Sequence, residues 1–288
     1  MYVVIGANGR AGGETAAALI AMGKPVRVVL RQQEQAEKWK TLGAETAVTT
    51  IEDRAGLAAA FADASGAFLL CPPPSNADPF GRADEVGRAL ARAVRDADVP
   101  KIVVLSSIGA QHQSGTGIIA TLNTLEQHLH GSAPATTFLR PGYFIETWSE
   151  VVDAVMAQGV LPSFLEPGQK IPMVSTRDVG RAAAELLVDG VEGERVVELR
   201  GAQDWSANDV AAAFGHILGR AVQPVFIAPP DRLAILTQQG VPVAIAEALL
   251  GMYEGIASGR VERDSSAEQR RGEVALVDAI GRLVAAAR

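Results

Sequence analysis

The sequence predicts an α/β fold: a doubly wound parallel sheet with a smaller C-terminal lobe. Three observations predict it. Short apolar runs punctuate the first half, helical patterns alternate with them, and a glycine-rich turn joins the first run to the first helix. Apolar runs without polar alternation are strands covered on both faces, the condition of a parallel sheet. The runs at 2–5, 26–30, 67–70, 102–105 and 136–139 have this character, and 46–48 is a weaker one. Between them, 12–22, 33–42, 54–62, 82–97 and 118–130 carry helical spacing. Strand–helix alternation with short connections winds such a sheet.

The pattern changes after Arg140-Pro141-Gly142. Segments 143–172 and 201–263 are richer in Pro and Gly and mix short helices with isolated strands such as 222–227. Segment 175–188 reads as one more framework helix, capped by Ser175 or Thr176, and 196–199 as a return to the sheet. The tail, 265–288, places Val274, Val277, Ile280, Leu283 and Val284 at helical spacing and reads as a packing helix.

Composition narrows the function. With 48% hydrophobic and 20% charged residues, the 288-residue chain can build a sizeable core. Lys plus Arg is 26 against 33 Asp plus Glu, a net charge of −7, which argues against holding nucleic acid by phosphate neutralisation. The lone Cys71 excludes an internal disulfide and a thiolate metal cluster within one chain. Four scattered histidines without clustered carboxylates argue against a metal site. No apolar run approaches the roughly 20 residues of a membrane span, and Tyr2-Val3-Val4-Ile5 begins at once without a signal-peptide pattern. The expectation is a cytoplasmic protein whose partner is a small molecule, neither nucleic acid nor membrane.

The strongest chemical signal is Gly6-Ala7-Asn8-Gly9-Arg10-Ala11-Gly12-Gly13, between the first strand and an Ala-rich helix. Glycine permits the tight turn, lets backbone approach a pyrophosphate, and lets helix pack closely on strand. The helix N-terminus then offers free amides and the positive end of its dipole. This is a dinucleotide site on a Rossmann sheet. The expected division is a dinucleotide-binding domain over 1–142 plus about 170–200, and a smaller substrate-binding lobe over about 143–169 and 201–288. A β-branched residue at Gly9 or Gly12 is expected to abolish nucleotide binding and leave the chain foldable. Arg31 ends the second strand, where an acidic residue would hold the ribose hydroxyls of NAD; arginine suits the 2′-phosphate, so NADP(H) is preferred over NAD(H).

Further segments extend the pattern. Leu105-Ser106-Ser107-Ile108-Gly109-Ala110 closes a strand, and Glu126 lies in the helix after it. Phe138-Leu139-Arg140-Pro141-Gly142-Tyr143-Phe144-Ile145-Glu146 follows, then Ile171-Pro172-Met173-Val174-Ser175-Thr176-Arg177-Asp178-Val179-Gly180-Arg181. With the Gly6, Gly9, Gly12 spacing, these segments resemble the NmrA-like group of atypical short-chain dehydrogenases/reductases, over nearly the whole chain and more loosely beyond about Gly201. That group includes NAD(P)H-dependent quinone and triphenylmethane-dye reductases, isoflavone-type reductases, and redox-sensing regulators that bind the cofactor without turning it over. The resemblance implies that Gly6, Asn8, Gly9, Arg10, Ala11 and Gly12 meet the pyrophosphate and Arg31 the 2′-phosphate. It implies that Cys71, Pro72 and Pro73 lie along the adenosine and that Ser106 and Ser107 border the nicotinamide ribose. Pro141, Gly142, Tyr143 and Phe144 would line the nicotinamide pocket.

The sequence departs from the group twice. Thr49-Thr50-Ile51 stands where many relatives have Gly-Asp-Leu, so Thr50 replaces an Asp near the adenine. Standard members also use a Tyr whose proton is controlled by a Lys four residues on. Four residues beyond Tyr2, Tyr143 and Tyr253 stand Gly6, Thr147 and Ala257. The remaining candidates for the chemistry are Ser107, Tyr143 and the loop histidine His112, with backbone amides near Gly142 to orient an acceptor. His128 and His130 read as solvated helix residues, and Asp178 as support for the first turn of its helix. An acceptor whose reduced anion is already delocalised suits a site without the Tyr–Lys pair. The expected function is NAD(P)H-dependent reduction of a quinone-like or other conjugated acceptor; the alternative is a non-catalytic NADP-binding redox sensor.

Overall fold

The computed structural model describes residues 1–72 and 78–288. Its first half alternates β1 (Tyr2–Ile5), α1 (Arg10–Ala21), β2 (Val26–Leu30), α2 (Ala36–Thr41), β3 (Glu45–Val48), α3 (Arg54–Phe61), β4 (Gly66–Leu69), α4 (Pro79–Asp96), β5 (Lys101–Leu105), α5 (Ala120–Leu129) and β6 (Ala135–Pro141). A short β7 (Tyr143–Phe144) follows, then a 3-10 segment (Ile145–Val151), α6 (Val152–Gln158), β8 (Val160–Ser163), β9 (Ile171–Val174) and α7 (Thr176–Val188). The chain continues through β10 (Gly193–Arg200), β11 (Asp204–Trp205), α8 (Ala207–Leu218), β12 (Gln223–Phe226), α9 (Pro229–Gln238), α10 (Val243–Ala257), β13 (Glu268–Arg271) and α11 (Leu276–Ala286).

Eight strands form one sheet in the order β13-β10-β6-β5-β4-β1-β2-β3, and every neighbouring pair is parallel. Both faces are covered, which is why the central strands β1 and β4 read as unbroken apolar runs. Val4, Val28, Phe68 and Val103 face a core shared with α1 and α7. Val3, Ile5, Leu69, Ile102 and Val104 face Leu57, Leu90 and Leu125 of α3, α4 and α5 on the other side. The order reverses between β1 and β4: the chain winds outward to β3 and returns beside β1. A crevice opens at such a reversal, at the carboxyl ends of the strands.

A third core, around Trp148, Val155, Phe214 and Ile280, belongs to the second lobe. There β7, β9 and β11 form one small sheet, and β12 pairs with β8 in another. Ser175 caps α7 as the sequence suggests, accepting from the Arg177 amide at 3.3 Å. Glu146 completes that cap, accepting from the Ser175 hydroxyl at 2.6 Å and the Thr176 amide at 2.9 Å.

The tail differs from the expected single packing helix. Residues 268–271 form β13, the eighth strand, and the helix starts only at Leu276. The strand sequence is Glu-Gln-Arg-Arg, which carries no apolar signal. It lies at the sheet edge, where charged side chains are normal and guard against stray pairing. Asp178 also does more than serve its own helix. It is buried and accepts the amides of Glu273 and Val274 at 3.1 and 2.9 Å, pinning the strand-to-helix turn. His128 is half-buried rather than fully solvated and is bonded to Asp84 of α4 at 2.8 Å, and burial lowers its pKa. Among the described residues no helix is long and apolar enough to cross a membrane.

Candidate functional site

The glycine loop sits at the strand-order reversal. Gly6 takes a left-handed φ of +71°, and the Gly9 amide closes the turn on the Gly6 carbonyl at 2.8 Å. Gly9 is the N-cap of α1, in extended conformation and with no side-chain cap. The first helical bond runs from the Gly13 amide to the Gly9 carbonyl at 3.0 Å, and the amides of Arg10, Ala11 and Gly12 make no hydrogen bond to a described residue. Gly12 is where helix meets strand: a Cβ there would lie 2.3 Å from the Gly6 carbonyl oxygen. Asn8 is exposed, and its side-chain oxygen accepts from the indole N–H of buried Trp39 at 2.9 Å. Arg10 reaches across the crevice to the Ser149 hydroxyl at 3.0 Å, joining the loop to the second lobe. Arg31 is exposed at the end of β2 and bonds to no described residue.

The ends of the central strands bring the next group together. Cys71 and Pro72 follow β4; Pro73 lies outside the described residues. Burial raises the Cys71 thiol to about 11, so it stays protonated near neutral pH and is no nucleophile. Thr49, where the group's glycine would stand, bonds to Asp53, which caps α3. Ser106 is buried and donates to Glu126 at 2.5 Å. Glu126 is itself held by Arg140 through bonds of 2.9 and 2.6 Å, and Arg140 reaches Asp264 at 3.2 Å. This buried network ties β5, α5, β6 and the segment before β13 into one unit. Ser107 donates to the Ile108 carbonyl at 3.0 Å. The Gly142 amide donates to the Leu199 carbonyl at 2.9 Å, so it is spent in the sheet and cannot orient an acceptor.

These strand ends line a cavity of about 480 Å³. Cys71, Pro72, Ser106 and Ser107 line it from one side, and Pro141, Gly142, Tyr143 and Phe144 from another. The glycine loop and Arg31 border neither this cavity nor the adjoining one of about 260 Å³, which shares Ser107, Gly142 and Tyr143 with it. His112 borders neither: its Nε2 is buried without a partner in the loop after β5.

The second lobe supplies walls that the sequence reading did not name: Phe164, Leu236, Leu249, Met252 and Tyr253. Helix α10 is brought over the strand ends by a glycine-on-glycine crossing. A Cβ at Gly117 would sit 2.2 Å from the Met252 nitrogen, and one at Gly251 2.9 Å from the Gly117 Cα. The spacing Gly251-x-x-x-Gly255, with Met252 and Tyr253 inside it, is the sequence signal that could have found this wall. The Tyr253 ring meets Phe164 edge-on at 5.2 Å, and its hydroxyl lies 3.1 Å from that of Tyr143. Burial holds both phenols above the ordinary tyrosine range, Tyr143 well above, so both are neutral. No lysine lines this cavity. Among the described residues no group of three or more His, Cys, Asp and Glu side chains is placed to hold a metal ion.

A model of the NmrA-like family matches residues 2–275. The chain is 26% identical over 254 residues to the NAD(P)H azoreductase of Xenophilus azovorans, covering 88% of this chain and 86% of that one. The fold resembles an NADPH-dependent quinone oxidoreductase from Escherichia coli complexed with NADPH, with a TM-score of 0.81 and 22% identity over 98% of this chain and 99% of that one. It also resembles the triphenylmethane reductase of Citrobacter sp. complexed with NADP(H), with a TM-score of 0.79 and 21% identity over the whole of both chains.

Proposed function

This chain belongs to the NmrA-like family, and from that premise we propose that it is an NAD(P)H-dependent oxidoreductase that prefers NADP(H) and reduces a quinone-like or other conjugated acceptor. The observation that carries this reading is a juxtaposition. An uncapped helix N-terminus stands behind a glycine turn at the strand-order reversal; a Cβ at Gly6 of that turn would lie 2.8 Å from Leu70, and Leu70 lines an aromatic-walled cavity with no lysine and two neutral phenols.

The loop fits a dinucleotide. The amides of Arg10, Ala11 and Gly12 are available to pyrophosphate oxygens, and no acidic side chain opposes them in the first turn of α1. Asn8, held by Trp39, and Arg10 flank the turn. Arg31 is free to meet a 2′-phosphate. Bound there, the dinucleotide supplies hydride. The chain's own residues confine the acceptor: Tyr143, Phe144, Phe164 and Tyr253 provide flat apolar walls.

The lack of a Tyr–Lys pair favours one class of substrate; the one carboxyl on the cavity wall, Glu150, is exposed and lies 3.8 Å from Arg10. A simple ketone becomes an alkoxide as hydride arrives and needs a positioned proton donor or strong donor set. Neutral phenols with raised pKa values are poor acids, and the Gly142 amide is occupied. A quinone or conjugated dye spreads the incoming charge over its own ring system. The relatives named as azoreductase and quinone oxidoreductase support this class of acceptor.

A panel of acceptors followed by NADPH absorbance tests the reading. Turnover is expected with quinones or conjugated dyes and negligible turnover with unactivated ketones. Efficient ketone reduction would show a proton donor that this reading lacks. Tight NADPH binding without oxidation by any acceptor would favour a redox sensor. The cofactor preference has its own check, by calorimetry. NADPH is expected to bind about 10- to 100-fold more tightly than NADH, the worth of one charge-assisted hydrogen bond to a phosphate. Arg31→Ala should remove most of that difference; equal wild-type affinities would make Arg31 a surface residue only.

A further inference from the structure

We propose that the hydroxyls of Tyr143 and Tyr253 form a paired donor subsite for a lone pair on the acceptor, such as a quinone carbonyl oxygen. The inference rests on the reading of the cavity as the acceptor site and adds a recognition element to it. The argument is a count of protons. Two phenol hydroxyls carry two O–H groups, and their mutual contact at 3.1 Å uses one of them. Neither hydroxyl has another hydrogen-bond partner among the described residues. One O–H is therefore left over, on whichever tyrosine accepts from the other. Both tyrosines line the larger cavity.

Other hydroxyls on the cavity wall are already turned into the protein. Ser106 donates to Glu126, Ser107 to the Ile108 carbonyl and Thr121 to the Ile118 carbonyl. Thr147, also on the wall, has no hydrogen bond to a described residue and is the competing hydroxyl; the Arg82 guanidinium on the wall is paired with Glu52 and Glu85. The tyrosine pair is favoured because Phe164 packs edge-on against Tyr253 at 5.2 Å, placing a flat wall beside the donor. An aromatic acceptor laid on that wall brings its ring substituents to the phenols. A buried O–H left unpaired also costs free energy, which a ligand lone pair recovers. Burial keeps both phenols neutral, so the pair donates a hydrogen bond and retains its proton. The partners are 110 residues apart and come from different small elements, β7 and α10.

The pair has built-in redundancy. With either hydroxyl removed, the other no longer has a phenol partner and its O–H is released toward the cavity. Loss should appear only when both are gone. The test uses the NADP⁺-loaded protein with 1,4-naphthoquinone as probe and naphthalene as the matched ring without carbonyls, both followed by tryptophan fluorescence; Trp148 lies 6.2 Å from the Tyr143 ring. Tyr143→Phe and Tyr253→Phe alone should each weaken naphthoquinone less than about threefold, and the double variant about tenfold, within the range of a neutral hydrogen bond. Naphthalene affinity should not change. Equal losses for naphthoquinone and naphthalene would mean a packing role and overturn the proposal. So would an unchanged double variant, wild-type protein that binds no naphthoquinone, or a loss confined to Thr147→Val. If the selective loss appears while no acceptor in the panel oxidises NADPH, the subsite stands and the reductase reading falls.

Discussion

Gly9→Val is expected to leave the protein folded and to cut NADPH affinity about 100-fold or more, whereas Gly12→Val is expected to damage the fold itself. The sequence treats the two glycines alike, and the structure separates them. At Gly9 the backbone is already extended, with φ −88° and ψ 174°, which valine adopts readily. A Cβ there meets only the Gly6 carbonyl oxygen, at 3.2 Å, and Gly9 is exposed. The added side chain therefore stands in front of the helix N-terminus, where pyrophosphate oxygens would come. Denying two charge-assisted hydrogen bonds of about 1.5–3 kcal/mol each accounts for a loss of that size. At Gly12 a Cβ would lie 2.3 Å from the Gly6 oxygen, 2.6 Å from its carbonyl carbon and 2.9 Å from the Ile5 oxygen. These are backbone atoms of the first strand and its turn, and they cannot swing aside. The cost lies at or beyond the upper end of the roughly 1–3 kcal/mol typical of overpacking. Thermal melting and NADPH calorimetry on both variants separate the two effects. Unchanged nucleotide affinity in a folded Gly9→Val protein would move the cofactor away from this loop.

Replacing Glu126 by leucine is expected to destabilise the protein by about 3–5 kcal/mol, the usual cost of stranding one member of a buried ion pair. Glu126 and Arg140 have side chains 9% and 6% exposed, so little solvent is present to take over the orphaned guanidinium. Asp264, at 3.2 Å, compensates only in part, because its own side chain is closer to solvent. Ser106 loses its acceptor at the same time. The double variant Glu126→Leu/Arg140→Met should regain much of the loss, since removing both charges also removes their desolvation. Urea unfolding midpoints measure both. A single-variant loss below about 1 kcal/mol would place this pair with surface ion pairs and deny it the role of holding β5 to β6 beneath the cavity.

The fold was legible because its signals are local. Tyr2–Ile5 and Gly66–Leu69 stand where the apolar runs stand, since a strand buried on both faces has little room for polar residues. The loop was legible for a related reason: Gly6 and Gly12 answer steric demands made by residues a few positions away. Where burial stops, legibility stops. β13 is polar because it is an edge, and nothing in Glu-Gln-Arg-Arg separates it from a surface helix. His112 looked available in a Gln- and Ser-rich loop, yet the loop packs against the 251–262 segment and buries its Nε2.

By itself the sequence determined the parallel sheet, the position of the glycine loop and the lack of a Tyr–Lys pair, each a property of adjacent or regularly spaced residues. Tertiary structure alone decided what the cavity is made of. It turned Ser106 toward Glu126, spent the Gly142 amide on Leu199, and set Tyr253 against Tyr143 from 110 residues away. Those outcomes depend on which side chain reaches a shared partner first in a close-packed interior, and periodicity along a chain carries no record of that competition.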